Sequence, residues 1–255
     1  MIIVKRSFHE IKNAGRSFIG TGIMIPSAEI VEITGYAKFD FVIIDEEHTQ
    51  FGAETSINLV RAAEASGIIP IIRVAEVSEV YLKKALDTGV SAVVVPNISD
   101  KKSAEEAVYY SRFAPAGGRG ACPCVRANQF GKGDNHYYED ANRDVAIIAL
   151  IEGAEGMANF DEIIDVEGLD AIYIGPVDLS VSMGLAGDIY NLRVIEAMEI
   201  MIAKAQQKGH MVGTYCVDIA EAKKWIDKGV NFIDFSTDTV MFMEKCLEII
   251  KAFSE

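Results

Sequence analysis

The chain has 255 residues, half of them apolar and 24% charged, close to the roughly 250 residues of a single βα barrel and ample for one large core. Twenty-four basic residues against 38 acidic ones leave a formal charge of −14, which argues against a nucleic-acid or anionic-membrane surface, since phosphates need a clustered basic face. No stretch approaches 18 uninterrupted apolar residues, and no apolar run continues from residues 1–6, so neither a membrane span nor a signal peptide is expected and the chain reads as cytoplasmic.

In chain order, the first strand-like run covers residues 18–25. The second, 41–47, runs from Phe41-Val42-Ile43-Ile44 into Asp45-Glu46-Glu47-His48, and a helical pattern follows at 53–65. The third, 68–74, carries Arg73 late in an apolar stretch, and the pattern at 79–87 ends in Asp87-Thr88-Gly89. A run at 92–98 and a helical pattern at 104–113 precede a long irregular stretch, 114–141, rich in Gly, Pro, Asn, Asp and Tyr. A loop of that length in a compact domain is more often functional than not. The fifth run, 146–152, ends in Glu152, and the sixth, 171–176, leads into Gly175-Pro176-Val177-Asp178. A helical pattern at 192–208, a run at 210–216, a pattern at 220–228 and an eighth run at 232–237 complete the alternation. The segment 240–253 reads as a final helix packing on the rest.

Most of the runs are continuously apolar, as parallel strands buried on both faces should be. Several helical patterns stop at a glycine, at Gly89, Gly209 and Gly229, which suits a C-terminal cap. Eight strands alternating with helices predict the α/β class and a single-domain (β/α)8 TIM barrel over residues 1–255. A doubly wound open sheet is the structural alternative.

Barrel chemistry sits at the C-terminal ends of the strands, and here those ends carry carboxylates, a histidine and an arginine. Glu152 and Asp178, on adjacent strand ends, suit a hard divalent cation such as Mg2+ or Mn2+, or else are ordinary helix-start acids. His48 is either a general base or an exposed capping histidine. Arg73 is either the cation for an anionic substrate or the partner of Glu47 or Glu152 in a structural ion pair. Asp87, by position alone, is a surface acid. The glycine-rich stretch 114–120 lacks the spacing of a phosphate loop. No strand run contains a lysine, which disfavours an imine mechanism. Cys122-Pro123-Cys124 with two distant single cysteines matches no zinc framework and suits reduced thiols.

Several stretches occur together and in order: residues 41–48, Ile72-Arg73-Val74, residues 85–89, Gly118-Arg119-Gly120, Val125-Arg126-Ala127, Leu150-Ile151-Glu152 and residues 174–180. With this set the chain resembles the HpcH/HpaI-type class II pyruvate aldolases of the phosphoenolpyruvate/pyruvate barrel superfamily, over about residues 15 to 240. The resemblance implies an aldolase that makes or cleaves 4-hydroxy-2-oxo acids from a pyruvate-like 2-oxo acid and an aldehyde. It implies Glu152 and Asp178 as ligands of Mg2+ or Mn2+, with Co2+ or Zn2+ as other candidates. Arg73 would steady the 2-oxo acid, and His48, oriented by Asp87, would be the base. Asp45 and Glu47 would form the surrounding polar network, and the backbone from Gly175 through Pro176 and Val177 to Asp178 would receive the substrate carboxylate. A homo-oligomer of two or six subunits, with the C-terminal helix packing on or exchanging with a neighbour, is also implied.

Three positions depart from the family pattern: Leu150 where glutamine is usual, Thr21-Gly22 where an aromatic often follows the glycine, and Thr49 after the histidine. The competing activities are an acyl-coenzyme A lyase of the citrate-lyase type and a barrel that binds an oxo acid without turnover.

Overall fold

β-Branched side chains are stiff and pack well on a pleated surface, and the runs rich in them form eight strands. In the computed structural model, which describes residues 6–133 and 136–254, these are β1 (Phe18–Ile23), β2 (Phe41–Asp45), β3 (Ile69–Arg73), β4 (Ala92–Val95), β5 (Ala146–Ile151), β6 (Ala171–Ile174), β7 (Met211–Cys216) and β8 (Phe232–Thr237). Each pairs in parallel with the next, and β8 closes on β1. The fold is the expected (β/α)8 barrel. The open-sheet alternative fails because closure leaves no edge strand.

β1 to β6 end one to three residues earlier than the apolar runs suggest, whereas β7 and β8 end where expected. β4 shows why: Pro96 has no N–H for the ladder, and Asn97 turns the chain with φ +55°. Inside the barrel, Phe18, Phe41, Ile69, Ala92, Met211 and Phe232 belong to one interior cluster. Large and small residues alternate there. A Cβ on Gly20 would stand 2.2 Å from the Phe41 ring, and one on Gly213 would stand 2.0 Å from the Phe232 ring. Phe8 stacks edge-on against Phe232 at 5.4 Å and closes the N-terminal end. A second, larger cluster packs the outer strand faces against the helices.

The five expected helices are present as Ala53–Ser66, Glu79–Asp87, Lys101–Ser111, Leu192–Gln207 and Ile219–Asp227. Asp100 begins the third with a reciprocal capping box to Ser103. Gly89, Gly209 and Gly229 follow helix ends with φ between +85° and +89°. The helix Ala28–Tyr36 carried no clear periodic signal. It is rich in β-branched residues and holds Gly35, which lets Ser66 approach closely.

The stretch 114–141, expected as one long loop, includes the 3-10 segment Arg126–Gly131 and the start of the helix Tyr137–Asp144, and it packs against helix ends. Arg119 donates to Asp87 at 2.8 Å and Arg126 donates to the Thr88 carbonyl at 2.6 Å. Each helix returns antiparallel to its strand, so these ends lie at the N-terminal rim, and the loop's own contacts are far from the mouth where barrel chemistry occurs. Residues 134–135 of that stretch, like residues 1–5 of the expected signal-free N-terminus, lie outside the described residues. The final segment forms the helix Asp238–Ala252, with Phe242, Leu247 and Ile250 exposed. Among the described residues no helix is long and apolar enough to cross a membrane.

Candidate active site

The register of the sheet sets Asp45 beside Arg73, the last residues of β2 and β3. Arg73 donates to Asp45 twice, from Nε to Oδ1 at 2.9 Å and from Nη2 to Oδ2 at 2.7 Å. Its remaining nitrogen, Nη1, lies 3.4 Å from Glu47 Oε2. Asp45 also shapes the turn that follows it, its Oδ1 accepting the backbone N–H groups of Glu47 at 3.0 Å and His48 at 3.4 Å. Thr49 closes the same turn by donating its hydroxyl to the Asp45 carbonyl. That bond gives the threonine a local structural role. The turn brings His48 to the rim, half-exposed, with Nε2 3.6 Å from Glu47 Oε2.

Glu152 follows β5 and is 6% exposed. Its Oε1 accepts the Asn97 backbone N–H at 2.9 Å, while the Asn97 side chain donates to Glu47 Oε1 at 3.3 Å. Asparagine tolerates the left-handed conformation that this double contact requires. Gly175 begins the helix Pro176–Ser182 without a side-chain cap, and Asp178 lies in its first turn. A Cβ on Gly175 would meet Glu152 Cβ at 3.0 Å, Leu150 Cδ1 at 3.2 Å and Glu152 Oε2 at 3.3 Å. Glycine therefore lets Glu152 lie against the start of the helix that carries Asp178, and Leu150 fills the layer beneath.

Asp45, His48, Arg73, Leu150, Glu152 and the residues from Gly175 to Asp178 line one cavity of ≈ 390 Å³ at the C-terminal ends of the strands, together with Gly22, Tyr215, Asp234 and Thr237. Its electrostatics are uneven. Burial pushes the Glu152 carboxyl up to about 7; the Asn97 N–H opposes this, and the charges of Glu47 and Asp178 add to it. Burial also raises Glu47, against the pull of Arg73 and His48. Burial works against the charge of Arg73, but its bonds and attraction to Asp45 more than offset that, so the guanidinium stays charged. Buried Asp234 is pushed up to about 6, and buried Tyr173, whose hydroxyl donates to it at 2.8 Å, is held well above its ordinary value.

The donor set fits a hard divalent cation. Glu152 and Asp178 repel each other across a site with one guanidinium already engaged by Asp45, and Glu47 Oε2 is buried without a hydrogen-bond donor. Among the described residues no three His, Cys, Asp or Glu side chains gather as a complete protein cage. Two carboxylates would leave the remaining positions to water and substrate oxygens, as Mg2+ and Mn2+ prefer.

The structure thus brings together Asp45, Glu47, His48, Arg73, Glu152, Gly175, Pro176, Val177 and Asp178. It does not bring Asp87. That residue ends the helix Glu79–Asp87 at the opposite rim and pairs with Arg119, so within one chain it does not orient His48; the carboxylate beside His48 is Glu47. The ion-pair alternative for Arg73 named Glu47 or Glu152, yet its closest partner is Asp45. The pattern of strand ends does not single out Asn97, Tyr173, Tyr215 or Asp234. For Asp234 a signal existed, a lone carboxylate inside the apolar run Phe232-Ile233-Asp234-Phe235. All eight strands lack lysine. The cysteines are free, with Cys122 and Cys124 exposed.

Against known proteins, the model of the HpcH/HpaI aldolase/citrate lyase family matches residues 23–244. A 4-hydroxy-2-oxo-heptane-1,7-dioate aldolase of Shigella sonnei is 32% identical over 239 residues, 93% of this chain and 91% of that protein. Among solved structures, an HpcH/HpaI aldolase/citrate lyase family protein from Burkholderia cenocepacia superposes with a TM-score of 0.91 at 28% identity, covering 97% of this chain and 98% of its own. A citrate synthase, SbnG, superposes with a TM-score of 0.87 at 32% identity, covering 97% of each chain.

Proposed function

Because this chain belongs to the HpcH/HpaI aldolase/citrate lyase family and is a carbon–carbon lyase with aldolase activity, we propose that it is a divalent-metal-dependent pyruvate aldolase, cleaving or forming 4-hydroxy-2-oxo acids. One observation carries this reading: Glu152, Asp178, Arg73 and His48 converge on a single cavity at the strand ends.

Glu152 and Asp178 would hold the cation. When bound, it supplies Lewis-acid stabilisation of the charge that grows on the keto oxygen, worth several kcal/mol. Arg73, locked by Asp45, adds a fixed positive charge beside that oxygen, worth roughly 3 kcal/mol by analogy with oxyanion donors. The backbone from Gly175 to Asp178 receives the substrate carboxylate. His48, with Glu47 beside it, takes a proton from the methyl carbon, the enolate attacks an aldehyde, and the resulting alkoxide takes up a proton. In reverse, the 4-hydroxyl proton passes to the base, the carbon–carbon bond breaks to release the aldehyde, and the enolate carbon regains a proton. Metal and guanidinium together account for an acidic protein binding an anion.

We read the protein as a cytoplasmic homo-oligomer. The exposed Phe242, Leu247 and Ile250 on one helix, and the free cysteines, support that reading.

Proton NMR of pyruvate in heavy water, with chelator-treated protein and with or without Mg2+ or Mn2+, tests the reading apart from the aldehyde. Metal-dependent loss of the methyl signal is expected. No exchange with either metal, from a folded protein, would sink it. Exchange seen instead at the acetyl group of acetyl-coenzyme A would move the assignment to the acyl-coenzyme A lyase alternative, to which the citrate synthase likeness lends some support.

A further inference from the structure

The β8 side of the cavity carries polar groups that the enolate chemistry does not use. β8 leaves regular pairing there: Gly20 lies opposite Asp234, but Gly22 lies opposite Thr237, so β8 contains one extra residue. Ser236 takes φ +58° within this bulge. Bulges re-aim side chains and concentrate near active sites. This one turns Thr237 toward Gly22, where an added Cβ would already touch its Cγ2 at 3.0 Å. Glycine at 22 leaves the space over β1 open, and Tyr215 and Thr237 border it.

Beneath that space lies Asp234, 7% exposed and part of the cavity lining. Its Oδ2 accepts the Tyr173 hydroxyl at 2.8 Å, while its Oδ1 is buried without any donor. A buried acceptor left unpaired is unfavourable and rare in folded proteins. Asp234 borders the cavity, so a molecule bound there is the nearest source of a further donor.

We propose that Asp234 selects the second substrate: its unpaired oxygen accepts the hydroxyl of a hydroxyaldehyde seated between β1 and β8, favouring it over an apolar aldehyde of equal size. This rests on the pyruvate-enolate reading above. The hydroxyl is bound and not consumed. The new bond joins the pyruvate methyl carbon to the aldehyde carbon, and the proton lost from the methyl is balanced by one gained at the new alkoxide. Sites built to hydrogen-bond a substrate hydroxyl reject the analogue lacking it more strongly than apolar pockets reject an added hydroxyl.

The test compares kcat/KM for glycolaldehyde and propanal, which have the same number of heavy atoms, with pyruvate as co-substrate and metal saturating. The wild-type chain is expected to prefer glycolaldehyde by about tenfold or more. Asp234→Leu should bring the ratio near one, and the more conservative Asp234→Asn should give an intermediate value. Each ratio is internal to its variant, so a general loss of activity cancels. A wild-type ratio of one or below overturns the proposal without any variant, and so does a wild-type preference retained in both variants. Methyl-proton exchange of pyruvate by the wild-type chain is run alongside. Exchange without discrimination between the aldehydes overturns this inference alone, whereas no exchange overturns the enolate reading and this inference with it.

Discussion

Asp45 holds Arg73 by two hydrogen bonds, at 2.9 and 2.7 Å, so that of three guanidinium nitrogens only Nη1, 3.4 Å from Glu47 Oε2, is not bonded to it. The pair is a neighbouring-strand contact in the parallel register, and it aims a charge that would otherwise swing on a flexible stem. Asp45 thus fixes the direction of the Arg73 guanidinium, and the same carboxylate orders the turn carrying His48.

Arg73→Ala should lower metal-saturated turnover by about 10²- to 10³-fold, as for a lost oxyanion donor. It should also destabilise the fold by about 3 kcal/mol, because Asp45 would stay buried without its partner. Arg73→Lys keeps a charge but not the fork and should restore stability more than rate. Pyruvate exchange and urea unfolding read the two effects separately. A normal exchange rate in Arg73→Ala would make the residue a structural ion pair.

Glu152→Gln and Asp178→Asn each remove one anionic ligand. Both should abolish metal-dependent exchange while leaving the circular dichroism spectrum unchanged. Added Mg2+ or Mn2+ should raise the Tm of the wild-type chain by mass action and leave the Tm of either variant where it was. A full metal-induced rise in a variant would remove that residue from the site.

Gly175→Ala places a methyl group within 3.0 Å of Glu152 Cβ and 3.2 Å of Leu150. Neighbours buried in a packed barrel yield by only tenths of an ångström, so the Glu152 carboxylate should shift. Metal affinity is expected to fall about 10- to 100-fold, as when outer groups that orient ligands are changed. Titration calorimetry with Mn2+ measures it; unchanged affinity would mean that Glu152 does not lie against Gly175 when metal binds.

Asp234 binds its proton up to about pH 6 in the folded chain, against an ordinary value of 3.8. Between these values the folded state holds more proton than the unfolded one. Its contribution to the metal-free protein's stability therefore falls as pH rises through that window and is flat above it. The full loss is up to about 3 kcal/mol, at 1.36 kcal/mol per pH unit. Asp234→Asn does not titrate, so its stability relative to wild type should improve from pH 4 to pH 7 in urea unfolding. A difference independent of pH would show that Asp234 titrates normally.

The barrel was legible because its signal is local. A strand buried on both faces must be apolar at nearly every position, so Ala146-Ile147-Ile148-Ala149-Leu150-Ile151 announces itself without reference to any partner. Helix ends were readable for the same reason, since Gly89, Gly209 and Gly229 take the left-handed conformation within their own peptide. The helix Ala28–Tyr36 was not, because Ile30, Val31, Ile33 and Thr34 are β-branched residues that suit a strand equally well, and the close approach of Ser66 to Gly35 is a long-range contact.

Much of the candidate site was legible too, since charged residues at the ends of apolar strands must meet at one mouth once a barrel closes. Asn97 gives no signal in the sequence because its worth lies in backbone direction: φ +55° turns its N–H to Glu152 and its amide to Glu47.

By itself, then, the sequence determined the eight buried strands, their order, and the set of polar residues delivered to the strand ends, all consequences of patterns that span a few neighbouring positions. Only the tertiary structure decided who meets whom. Register paired Arg73 with Asp45 instead of Glu152, and closure set Asp234 opposite Gly20 and Thr237 opposite Gly22 across the β1–β8 seam. The antiparallel return of a helix carried Asp87 to the rim opposite His48. Such distances are set by the closing of the sheet, which joins residues some 200 positions apart that no local pattern relates.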